Sequence, residues 1–150
     1  MRHLELFAGI GGFRRAMDLL TQDHIMDFHC IGYSEIDAKA VKTYCANFHP
    51  KTDDELAMGD IVEFTSNENN INNLPKFDFV TGGFPCQTFS MMGKQAGFNE
   101  DRGQMFFHII DILAAMKPRY VLLENVKNPQ SPHKGRTFAR IKQELETLGY

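Results

Sequence analysis

Short apolar runs alternate along this chain with segments whose apolar residues recur at helical spacing. "HLELF" (residues 3–7) reads as a strand and "AGIGG" as a glycine turn, after which Phe13, Ala16, Met17 and Leu20 fall on one helical face. "FHCIGYSE" (28–35) reads as the next strand, and Ala38, Val41, Cys45 and Phe48 line the helix that follows, closed by Pro50. A short strand near "LAMGD" (56–60) precedes polar "TSNENNINN" (65–73), which reads as a loop or a frayed helix. "FDFVTGG" (77–83) reads as a buried strand, "QMFFHIIDILAAM" (104–116) as a strongly apolar helix and "RYVLLEN" (119–125) as another strand. A last helix runs from about Arg136 to Gly149, with Phe138, Ile141, Leu145 and Leu148 on one side.

Strand and helix in this order predict an α/β fold, a doubly wound and mostly parallel sheet covered on both faces. No internal repeat or interdomain linker interrupts it. Ligands on such sheets bind at the carboxyl ends of the strands, so those ends are where chemistry is sought. They read "FAGIGG", "SEID", "GDI", "GGFPCQ" and "ENV".

Composition narrows the setting. The 150 residues are 43% hydrophobic with 13 Phe and 8 Met, enough for one globular domain with a real core. The three cysteines form no C-x-x-C pair, so neither a disulfide framework nor a four-ligand zinc site is supported, and a reducing compartment is expected. "MRHLELFAG" holds no sustained apolar run and nowhere do about 18 apolar residues follow one another, so no signal peptide or membrane span is expected. Net charge is only −3, but residues 1–84 carry 7 Lys and Arg against 13 Asp and Glu, whereas residues 85–150 carry 9 against 6. That local basic surplus suits either a polyanion or an ordinary solvated helix face.

Gly9, Gly11 and Gly12 allow a tight bend that approaches a ligand, with the amides of the next helix aimed at it. Glu35, at the second strand's end, is placed to accept hydrogen bonds from ribose hydroxyls, and a nucleoside-bearing cofactor fits. Arg14 stands where the dinucleotide fingerprint wants a third glycine, which weakens a pyrophosphate reading. The same glycines also suit a plain strand-to-helix turn, and Asp60 also suits a helix cap. Cys30 and Cys45 read as small core residues. Cys86 differs: it follows Pro85 at a strand end and opens a long loop containing Ser90, Gly93, Gly97 and Gly103, a setting that suits a nucleophilic thiol. Glu124 ends the next strand, where burial would push its carboxyl toward the protonated form and make it a proton donor. Its structural alternative is an ion pair with Arg102 or Lys127.

Taken together, "LELFAGIGGFRRAM", "SEIDAKAVKTYCANF", "GDI", "FVTGGFPCQTFSMMGKQAGFNEDRGQMFF" and "KPRYVLLENVKN" resemble, in order and spacing, the first half of a DNA (cytosine-5) methyltransferase of the bacterial restriction-modification type. The resemblance covers nearly all of the chain. It implies a Rossmann-like methyltransferase fold, S-adenosylmethionine as cofactor with S-adenosylhomocysteine as product, no metal, double-stranded DNA as partner and a bacterial cytoplasmic setting. Phe7, Gly9 and Gly11 would contact the cofactor, Glu35 its ribose, and Ile36, Asp60 and Ile61 its adenine. Cys86 would be the nucleophile, Pro85 would shape its pocket, and Glu124 would hold a cytosine rotated out of the duplex. The loop carrying Gln87, Ser90 and Arg102 would close over the DNA.

The resemblance also implies what lies beyond residue 150: a later arginine motif, a target-recognition domain and the closing helix and strand elements. Residues 1–150 then read as the N-terminal part of the catalytic domain, with a sheet stopped after about five strands. An apolar edge at "YVLL" would invite self-association or a complementary C-terminal chain, and the isolated polypeptide is expected to lack turnover. An RNA-directed relative acting on tRNA and a split-enzyme half are the rival readings. A nicotinamide dehydrogenase is the outside one.

Overall fold

A computed structural model describes residues 1–51, 53–84, 105–125 and 134–150. Its elements are β1 (Arg2–Leu6), α1 (Gly12–Gln22), β2 (His29–Ser34), α2 (Ala38–Phe48), β3 (Leu56–Gly59), α3 (Ile61–Ser66), α4 (Glu68–Asn72), β4 (Phe79–Gly83), α5 (Met105–Met116), β5 (Tyr120–Glu124) and α6 (Lys134–Leu148). The strands form one sheet in the order β3-β2-β1-β4-β5, and every pair is parallel. The chain winds outward from β1 through β2 to β3, then returns by α3 and α4 to β4 on the other side of β1. The strand order therefore reverses between β1 and β4, where such sheets open a crevice.

Alternation within β1 divides the interior. Leu4 and Leu6 point into the larger core with Ile31, Val80, Phe106, Ile109, Ile112 and Leu113. His3 and Glu5 are also wholly buried, and the two-residue period of a strand turns them to the opposite face. On that face His3 Nε2 meets Thr81 Oγ1 at 2.8 Å. Tyr33, Tyr44, Ala8 and Phe48 form a second, smaller apolar cluster.

Two expectations change, and one open alternative is decided. The polar stretch at 65–73 falls within α3 and α4, because Asp60 and Asn67 cap the two helices and Ile61 and Ile71 anchor them in the core. The inward residue of α2 is Tyr44, stacked on Tyr33 at 4.2 Å, so the helix is rotated from the expected stripe and Cys45 is only half-buried. Phe138 is exposed, while Ile141, Leu145 and Leu148 of α6 do pack on the core. Cys30 is buried as expected.

Candidate active site

The chain leaves β1 through residues with positive φ: Phe7 at 54°, Gly9 at 55° and Gly11 at 90°. Phe7 holds a conformation that costs a non-glycine residue free energy, and the end of β2 holds it there. Phe7 N donates to Ser34 Oγ at 3.1 Å, Ala8 N to Ser34 O at 2.9 Å, and Gly9 N to Glu35 Oε2 at 2.7 Å. The other carboxylate oxygen of Glu35 accepts the amides of Ile36 and Asp37, both at 2.8 Å. Glu35 thus ties the glycine bend to the β2–α2 turn. Asp37 then caps α2 through the amides of Lys39 and Ala40.

These ends enclose a pocket of about 80 Å3 lined by Phe7, Ser34, Glu35, Ile36, Gly59, Asp60, Ile61 and Met105. Five of the seven cofactor residues expected from sequence, Phe7, Glu35, Ile36, Asp60 and Ile61, line this one space. Ile36 is 73% exposed at its mouth, offering an apolar face to a flat base. Asp60 caps α3 through Val62 N at 2.8 Å using a single oxygen, so its second oxygen adds an acceptor. Apolar walls with carboxylate acceptors suit the ring, amino group and hydroxyls of an adenosine. Sequence reasoning missed Ser34, Gly59 and Met105. Ser34 adjoins Glu35 and could have been included, but Met105 arrives from the distant start of α5, which no spacing reveals.

The two remaining glycines part company. A Cβ on Gly9 would meet nothing within 4 Å, whereas one on Gly11 would fall 2.1 Å from Phe48 Cε2. The space beside Gly11 is filled by α2. Arg14 also turns inward: its guanidinium grips Glu55 at 2.8 and 3.0 Å, reaches Asp18 at 3.1 Å and lies 5.4 Å from the centre of the Phe48 ring.

At the same edge of the sheet, Gly83 of β4 is in register with Glu124 of β5. A Cβ on Gly83 would be 3.3 Å from Glu124 Oε2, so the carboxylate lies over that glycine. Glu124 is exposed, and the burial expected of it is not found. Pro85, Cys86, Gln87, Ser90, Arg102 and Lys127 lie outside the described residues. A larger groove of about 620 Å3 between α3, α4 and α5 contains His108 and Asp111 but none of the residues expected from sequence. No metal-binding group of His, Cys, Asp or Glu occurs among the described residues, and none of their helices is long and apolar enough to cross a membrane.

A parallel sheet with this strand order and a pocket at the carboxyl ends of β1, β2 and β3 defines a Rossmann-like α/β protein of the methyltransferase kind. The crystal structure of a DNMT2 mutant from Spodoptera frugiperda superposes with a TM-score of 0.58 over 95% of this chain and 40% of that one, at 25% identity. The family model for C-5 cytosine-specific DNA methylase matches residues 1–150, and the chain belongs to that family. It is 43% identical over 150 residues to the type II methyltransferase M.HgiCI of Herpetosiphon aurantiacus, covering all of this chain and 33% of the relative. It is 44% identical over 148 residues to M.HpaII of Haemophilus parainfluenzae, covering 98% of this chain and 37% of the relative. The chain thus spans about a third of the length of these curated relatives.

Proposed function

We propose that these residues form the cofactor-binding and nucleophile-bearing part of an enzyme that methylates C5 of cytosine in double-stranded DNA. The observation that carries the reading is the pocket at the ends of β1, β2 and β3, where Phe7, Glu35, Ile36, Asp60 and Ile61 converge. S-adenosylmethionine, when bound, supplies an electrophilic methyl group. Glu35 would take the ribose hydroxyls, Ile36 and Ile61 the faces of the adenine, and Asp60 its amino edge.

Cytosine C5 is a weak nucleophile, and the chain's own groups would correct this. Addition of the Cys86 thiolate to C6 breaks the C5–C6 double bond and sends its electron pair toward C5. Glu124 would hold N3 through a shared proton, so that the ring accepts the added charge. Loss of the C5 proton after transfer, with expulsion of the thiolate, restores aromaticity. C6 is shielded in a stacked duplex, so the base must be rotated out, and Gln87, Ser90 and Arg102 would hold the DNA around it. Pro85 would fix the turn that presents the thiol.

The exposed Tyr120 and Leu122 on edge strand β5 support association with a further chain, a complementary segment or a second copy. The test is incubation of the chain, alone and mixed with a candidate companion chain, with S-adenosylmethionine and 5-fluorocytosine duplex DNA. An adduct mapped to Cys86 and lost in Cys86→Ser is expected. Adduct formation that survives Cys86→Ser, or methyl incorporation into tRNA but not duplex DNA, would overturn the reading.

A further inference from the structure

Glu5 lies on β1 beneath the start of α1, wholly buried. The helix begins at Gly12, and its cap residue Gly11 provides no side-chain hydrogen bond. The first-turn amides are met from below: Arg14 N donates to Glu5 Oε1 at 3.2 Å, and the Phe13 amide bonds to the same carboxyl. Oε2 is buried without a well-formed partner, with the Tyr44 hydroxyl beside it.

A helix start with free amides receives anions, above all phosphates, because its unpaired N–H groups and its dipole point the same way. Here those amides already face a carboxylate. The nearest guanidinium, that of Arg14, is bound to Glu55 and Asp18. Arg15 lines, with Gly11 and Gly12 of the helix start, Asp18 and Asn47, a groove on the outer side of that start, away from Glu5. We infer that Glu5 is a specificity-determining residue, whose carboxylate fills the anion seat of α1 from inside and makes the neighbouring pocket accept a phosphate-free nucleoside while rejecting nucleotides. The inference rests on the nucleoside-cofactor reading above and adds what the site excludes.

The groups facing Glu5 leave it as the one that titrates near neutrality. From α1 comes Arg14, which stays charged. From α2 comes Tyr44, with Cys30 of β2 3.8 Å from its hydroxyl, both pushed up by burial. His3, its neighbour on β1, is held neutral by burial and by the charge of Arg14, its pKa lowered to about 4. Burial pushes the Glu5 carboxyl up to about 7, against the downward pull of the Arg14 amide, the Tyr44 hydroxyl and the Arg14 charge. Exclusion of anions should therefore be strong at pH 8 and relaxed at pH 6.

The test measures calorimetric binding of ADP-ribose, whose pyrophosphate diester does not titrate in this range, and of S-adenosylhomocysteine to the full chain at pH 6 and pH 8. Wild type should bind ADP-ribose roughly tenfold more tightly at pH 6, the factor carried by one pKa unit of coupling. Glu5→Gln should bind it at the pH 6 level at both values. Equal wild-type affinity at the two pH values, or no ADP-ribose binding by wild type at pH 6 and by folded E5Q, overturns the inference. Should E5Q not fold, as judged by circular dichroism, the wild-type pair of measurements decides. Failure of S-adenosylhomocysteine to bind would instead sink the cofactor reading, and the ADP-ribose comparison would still decide the role of Glu5.

Discussion

The carboxylate of Glu35 accepts the amide of Gly9 at 2.7 Å and so joins the bend after β1 to the end of β2. With the amides of Ile36 and Asp37 on its other oxygen, Glu35 shapes the pocket before any ligand arrives. Replacing it should be felt without cofactor. Glu35→Ala should lower unfolding free energy by about 1–3 kcal/mol, the range for losing charged hydrogen bonds, and weaken S-adenosylhomocysteine binding as well. Glu35→Gln, which keeps one acceptor, should recover part of both. Ligand-free urea melts that leave E35A at wild-type stability would refute this positioning role.

Gly11 and Gly9 should respond differently to alanine. Gly11→Ala drives a methyl into Phe48 at a left-handed backbone position, and overpacking with that strain should cost about 3 kcal/mol. Gly9→Ala meets only the backbone term, about 1–2 kcal/mol, because its surroundings are open. Phe48→Leu removes the clashing ring atoms, so the double variant G11A/F48L should be more stable than the sum of its parts. Simple additivity would count against the Phe48 contact.

His3 and Glu5 oppose one another in pH. His3 has its pKa lowered from 6.5 to about 4, so the stability it contributes is present above pH 6.5 and lost as pH falls toward 4. Glu5 has its pKa raised from 4.5 to about 7, so its contribution is fully present below 4.5 and lost as pH rises toward 7. Each is worth about 3 kcal/mol at the limit, and between pH 4.5 and 6.5 the two slopes nearly cancel. Glu5→Gln should unmask acid lability below pH 6.5, and His3→Asn should leave a protein that gains stability on acidification to 4.5. Denaturant midpoints across pH 4–8 would show it, and parallel profiles for wild type and both variants would contradict it.

The Arg14–Glu55 pair is two-pronged and largely shielded, with side chains only 13% and 10% exposed. Glu55→Gln should cost about 1–3 kcal/mol by leaving the guanidinium short of a charged acceptor. Arg14→Lys should cost a similar amount, since an ammonium cannot span both oxygens or lie flat near Phe48. Because the pair is shielded, these losses should persist in 1 M salt. A loss abolished by salt would make it an ordinary surface contact.

Much of this architecture could be read from the chain because it is recorded locally. Runs such as "FDFVTGG" and "QMFFHIIDILAAM" carry their own period, and their alternation alone implies a parallel sheet with chemistry at the strand ends. Phe7, Glu35, Ile36, Asp60 and Ile61 could be named from their places after those strands. Residues 65–73 left loop and helix open because a polar composition hides the few anchors and two side-chain caps that make them helical. The tilt of α2 misled because Tyr44 stacks on Tyr33 of another element.

What the sequence determined by itself was the order of elements, the polar or apolar character of each strand end and the family to which those ends belong. The tertiary structure alone decided which partner each polar group found: Glu35 with three backbone amides, Gly11 with Phe48, Arg14 with Glu55, and Glu5 with the start of α1. The reason is physical. Periodicity comes from the backbone repeat and survives in a linear string, whereas desolvation and hydrogen bonding depend on atoms brought together from distant parts of the chain.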